Sequence, residues 1–131
     1  MRKIMIFGVF DGPHESHDTL LAEVRRHGDY VSTVVAQDHV VEHLFERAPR
    51  INFVERFEEL MRTDGVDEVI IGSAGVSLRA LVLRHRPDIV AFAADQKILK
   101  DDFLRELPKM SHRPVIRDLE NIEFNSSHAG K

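Results

Sequence analysis

The sequence predicts an α/β fold, with one parallel sheet carrying helices on both faces, formed by a single domain over residues 1–131. Three observations carry that expectation. Short runs rich in Val and Ile recur along the chain, and the first is too uniformly apolar for a strand with one wet face. Between these runs lie segments of about ten residues with apolar positions at helical spacing. The two kinds alternate, and no internal repeat, low-complexity tract or linker divides them.

Taken in order, Lys3 to Phe10 (KIMIFGVF) is a nearly continuous apolar run, the mark of a central strand. Asp11-Gly12-Pro13 breaks it. From about Ser16 the positions Leu20, Leu21 and Val24 repeat at helical spacing, and His27-Gly28 supplies a stop. Tyr30 to Ala36 is β-branched and reads as a second strand. Gln37 to Arg47 is expected to be helical, ending before Pro49. Asn52 can cap a helix with Phe53, Phe57, Leu60 and Met61 on one side and Gly65 beyond its end. Asp67 to Gly72 is a third strand, Val76 to Arg86 a helix stopped by Pro87, and Asp88 to Ala93 a fourth strand. Asp101 to Leu107 reads as a short helix, and Pro114 to Arg117 as an edge strand, where proline is tolerated.

Composition narrows the function classes. The net charge is −4 with histidine neutral, and Lys and Arg are scattered, so no basic stripe for nucleic acid or an anionic membrane is expected. With no cysteine there is no disulfide, thiolate metal site or cysteine nucleophile. No apolar stretch approaches membrane-span length, and Met1 to Ile4 enters the first strand without a signal-peptide pattern, so the expected location is cytoplasmic.

The segment Gly8 to His17 leaves the first strand at its carboxyl end, where open parallel sheets bind ligands. Gly8 and Gly12 permit close backbone approach, and a helix starting at Ser16 or His17 offers free N–H groups to a phosphate. His14 and His17 are three residues apart and can point into one space, there to donate hydrogen bonds to phosphoryl oxygens. The same pair could hold a transition metal, although no third ligand is evident, or be a chance pairing among eight histidines. There is no Walker A sequence and no dinucleotide glycine fingerprint, so the residues alone support an anion site.

Gly8-Val9-Phe10-Asp11-Gly12-Pro13-His14, followed by His17 and Leu20-Leu21, resembles the opening of the cytidylyltransferase-like nucleotidyltransferases, whose signature is G-x-F-D-x-x-H-x-G-H before an apolar helix. The likeness continues in order: Val54 to Leu60, Val66 to Ile70, Arg86 to Val90 with Ala94-Asp95-Gln96, and Asn125-Ser126-Ser127 in place of the terminal Ser/Thr motif. Among short members it resembles glycerol-3-phosphate cytidylyltransferases and archaeal-type FAD synthetases, with a slight tilt to the latter.

The resemblance implies a Rossmann-like sheet and transfer of a nucleoside monophosphate from CTP or ATP to a phosphorylated small molecule, with Mg²⁺ and release of pyrophosphate. His14 and His17 would contact the triphosphate and transition state, Gly8, Phe10 and Asp11 would shape the turn, and Ser126 and Ser127 would bind the β- and γ-phosphates. Arg47 or Arg50 would be the cationic loop ligand. Arg56 would lie near the nucleotide, an exposed helical arginine being the other reading, and Asp95 would face the base or sugar unless it is only a solvated loop acid. A homodimer is a family-level expectation.

Ser16 occupies the motif's glycine and would adjoin the nucleotide, Asp64 replaces an arginine expected near the triphosphate, and His128 to Lys131 replaces a basic residue and further helix. These departures keep open a weak or inactive nucleotide-binding or regulatory member of the same fold.

Overall fold

In this computed structural model, which describes residues 1–11, 14–72 and 77–119, with the side chains of 14–17, 44 and 45 left aside, the first strand is central. β1 (Lys3–Gly8) lies between β2 (Tyr30–Ala36) and β4 (Ile89–Ala93), with β3 (Glu68–Gly72) and β5 (Val115–Leu119) at the edges. Every adjacent pair is parallel, in the order β3-β2-β1-β4-β5. Its apolar run explains that position: Ile4, Met5 and Ile6 are fully buried, as a strand covered on both faces must be. The chain winds outward from β1 to β3 and then returns to β4 on the other side, so the winding direction reverses between β1 and β4.

Alternation along the strands divides the core. Ile4, Ile6, Val31, Val35, Ile89 and Ala91 pack with Leu20, Leu21 and Val24 of α1 (His14–Arg25) and Leu60 of α3 (Phe53–Met61). Met5, Phe7, Val34, Ile70, Val90 and Phe92 face the other way, against Leu81 and Val82 of α4 (Leu78–His85) and Phe103 of α5 (Lys97–Glu106). A further helix, α2 (Asp38–Phe45), follows β2. None of the described helices is long and apolar enough to cross a membrane.

The alternating pattern is as expected, but several limits differ for local reasons. β1 stops at Gly8 rather than Phe10, because Phe10 turns to a left-handed φ of 55°. α1 starts at His14 rather than at Ser16 or His17, so both histidines belong to its first turn. α2 ends at Phe45, where Glu46 takes the left-handed conformation. α5 begins four residues earlier than the apolar spacing suggests, since Lys100 N–H donates to Gln96 C=O and Lys97 pairs with Asp101 at 2.9 Å. Asn52 caps α3 as expected, its Oδ1 accepting from Glu55 N–H at 2.9 Å.

Gly28 does more than stop α1. A Cβ there would lie 2.7 Å from Ile4 Cγ2 and 2.9 Å from Ile4 Cβ, against the buried middle strand. Gly28→Ala is expected to lower stability by about 1–3 kcal/mol, measured by urea unfolding.

Asp67 ties the starts of β2 and β3 together, accepting from Val31 N–H and from Arg25 Nη1, each at 2.8 Å. Desolvation works against its carboxylate, yet the Val31 amide and the Arg25 guanidinium outweigh it and hold the pKa below the ordinary value. A carboxylate depressed in the folded state stabilises above its unfolded pKa and loses that contribution as pH falls through the folded value. Asp67→Asn should therefore melt below the parent protein at neutral pH, and the gap should close as pH falls below about 4.

Candidate nucleotide site

The carboxyl end of β1 is where chain direction, buried charge and a helix start meet. Val9 and Phe10 stay in the core, 2% and 3% exposed, so the turn leaves the sheet already anchored. Phe10 adopts a conformation that costs a non-glycine residue about 1–3 kcal/mol. The bonds on either side of it account for its persistence.

Asp11, fully buried, accepts from Arg50 N–H at 2.7 Å and from Ile51 N–H at 2.8 Å, with Arg47 Nη1 at 3.6 Å. Its charge is thus met by two amides and one cation from the loop between α2 and α3. On the other side, Arg56 Nη1 donates to Val9 C=O at 2.7 Å, its Nε to Ile51 C=O at 2.8 Å, and its Nη2 to Asp38 Oδ1 at 2.7 Å. Arg56 is 1% exposed, and the Phe53 ring lies 5.8 Å from its guanidinium carbon. The exposed helical position is therefore overturned: α3 turns this arginine inward, and its planar fork joins three segments.

Beyond this knot α1 begins. His14, Ser16 and His17 occupy its first turn, where the backbone N–H groups lack intrahelical partners and the helix dipole is positive. Their side chains, together with Gly12, Ser126 and Ser127, lie outside the described residues. Gly8 ends β1, half-buried. Arg50 is exposed on the loop that Asp11 grips. Asp95 is exposed in the turn after β4, at the carboxyl edge of the sheet.

Asp64 falls elsewhere. It follows α3 and precedes β3, which places it at the amino edge of the parallel sheet, away from the turn. The idea that its acid depletes positive charge around a triphosphate bound at the turn does not hold within this chain.

The roles of two residues escaped the sequence reading. Asp38, the first residue of α2, is the ionic partner of Arg56; an acid two residues beyond an apolar strand was the available signal. Gln96, 3% exposed, donates through Nε2 to Phe7 C=O at 2.7 Å and accepts at Oε1 from Ala93 N–H at 2.9 Å. An amide following an apolar strand gives no hint of which backbone groups it will bridge. Among the described residues no three His, Asp or Glu side chains gather to hold a metal.

Comparison with known proteins identifies the family and the fold. A profile of the Cytidylyltransferase-like family matches residues 5–127. A FAD synthase of Thermococcus onnurineus is 37% identical over 108 residues, 82% of this chain and 71% of that protein. One of Pyrococcus horikoshii is 32% identical over 105 residues, 80% and 71% respectively. The solved structure of a lipopolysaccharide core biosynthesis protein from Thermoplasma volcanium superposes with a TM-score of 0.81 at 27% identity, covering 91% of this chain and 96% of that one.

Arg56→Lys keeps the charge but cannot reproduce the fork, and at least one of the carbonyls of Val9 and Ile51 loses its donor. It is expected to cost about 2 kcal/mol, measured by urea unfolding.

Proposed function

This chain belongs to the cytidylyltransferase-like family of nucleotidyltransferases, and we propose that it moves AMP from ATP onto the phosphate of flavin mononucleotide, releasing pyrophosphate. The observation that carries the reading is the start of α1 at His14, which puts both histidines of the motif in one helical turn beyond the knotted end of β1. The choice of ATP and a flavin acceptor rests on the FAD synthases among the relatives. FAD is an adenylyl group joined to flavin mononucleotide through a pyrophosphate link, so a family member making it has ATP as donor. CTP with another phosphorylated acceptor is the competing pair for the same site.

An acceptor phosphate oxygen attacks the α-phosphorus in line while the α–β phosphoanhydride bond breaks, and the electron pair leaves with pyrophosphate. Little covalent work falls to the protein; holding the partners in line and spreading negative charge supply the catalysis. His14 and His17 donate hydrogen bonds to phosphoryl oxygens, helped by the free amides of the first turn of α1. Ser126 and Ser127 hold the β- and γ-phosphates, and Arg50 or Arg47 reaches the triphosphate from the α2–α3 loop. Gly8 and Ser16 border the nucleotide, and Asp95 faces the base or sugar.

Asp11 and Arg56 serve the nucleotide indirectly, by holding the turn in shape. Asp11 already accepts from two amides, so both side chains are committed to the turn. Mg²⁺ would come with the triphosphate and neutralise part of its charge.

Incubation with MgATP or MgCTP and a panel of phosphorylated acceptors should release pyrophosphate, with FAD as the product of ATP and flavin mononucleotide. His14→Ala and His17→Ala should each lower kcat by about 10²–10³. Nucleotide binding without pyrophosphate release from any acceptor would overturn the transfer reading.

A further inference from the structure

The two sides of β1 are held differently. Its pairing with β2 runs the full length of the strand, from Lys3↔Tyr30 to Gly8↔Val35. β4 likewise pairs with β5 through Ala93↔Leu119. Between β1 and β4, however, the ladder covers only Ile4↔Ile89 and Met5↔Val90 and then stops, although both strands continue.

Extending that register sets Phe7 beside Phe92 and Gly8 beside Ala93. In a parallel ladder the bond at the carboxyl ends of the two strands would run from Ala93 N–H to Phe7 C=O. These two groups are the ones that Gln96 takes, accepting from the first at 2.9 Å and donating to the second at 2.7 Å. The side-chain amide stands in the ladder where a single N–H···O bond would otherwise close the strands together. Burial without loss of pairing is possible because a glutamine amide offers both a donor and an acceptor.

We propose that Gln96 is a spacer: it holds the carboxyl ends of β1 and β4 apart and sets the width of the crevice that receives the nucleotide. The inference rests on the nucleotide reading above and makes Gln96 a positioning residue. The crevice lies where the winding of the sheet reverses, the place at which open α/β sheets take ligands. Gln96 also opens α5, its C=O accepting from Lys100 N–H at 2.9 Å, while its own N–H donates to Ala93 C=O at 3.0 Å. The spacer is therefore fixed to β4 by main chain and reaches β1 by side chain.

A spacer and a purely structural bridge respond differently to substitution. In Gln96→Ala the amide is gone, and Ala93 N–H can close onto Phe7 C=O. Stability should then change by only a few degrees of melting temperature, while MgATP affinity by calorimetry falls about tenfold. In Gln96→Met the strands stay apart but both backbone groups lose their partner. Melting temperature should fall, with MgATP affinity within about threefold of the parent.

The proposal is overturned if Gln96→Ala folds and binds MgATP as the parent does, or if Gln96→Met loses affinity as fully as Gln96→Ala. Should Gln96→Ala not fold, the Met variant decides: retained affinity supports the spacer, and a tenfold loss overturns it. Absence of MgATP and MgCTP binding by the parent protein would instead count against the nucleotide reading itself.

Discussion

The structure turns on one strained residue and the charges that hold it. Phe10 leaves the central strand in a left-handed conformation, and neither neighbour is free to relax it. Arg56 grips the Val9 carbonyl before it, and the Asp11 carboxylate after it is locked onto the Arg50 and Ile51 amides. Because Arg56 also holds Ile51 C=O and Asp38, the end of β1, the start of α2 and the α2–α3 loop form one unit. That unit fixes the strand end that precedes α1.

Buried charge of this kind carries a desolvation cost, and its worth lies in geometry more than in net stability. Arg56 is fully enclosed, whereas the Asp38 side chain is 39% exposed, so water still shares the acid's charge. The arrangement relieves the turn of repulsion. Asp11, which would oppose a triphosphate if free, is directed away into two amides and Arg47. The positive end of α1 follows the same turn.

Across that crevice the sheet is opened by a side chain instead of a change of strand direction. Gln96 allows β4 to remain parallel to β1 while giving up their last bonds. The two devices lie on opposite sides of the same strand end, one bracing the turn and the other keeping its far edge clear. Neither device disturbs the hydrophobic layers, which stay packed on the two faces of the sheet.

Much of this was legible in the chain because it is local. Apolar runs and helical spacing identified the alternating strands and helices, Asn52 announced its cap, and the ordered motifs from Gly8 to Gln96 pointed to the family. Boundaries were less legible: α5 starts early because Gln96 and Lys97 make contacts that hydrophobic spacing does not record. The roles of single polar residues were least legible of all. Whether Arg56 faces water or the core, and whether Gln96 is a loop residue or a bridge, depends on carbonyls 47 and 89 positions away in sequence. Sequence determined the α/β fold class and the family, since hydrophobic period and motif order are properties of the chain itself. Tertiary structure alone decided which charges are buried, what holds Phe10 and where the sheet opens, because those depend on which distant backbone groups the fold brings within hydrogen-bonding distance.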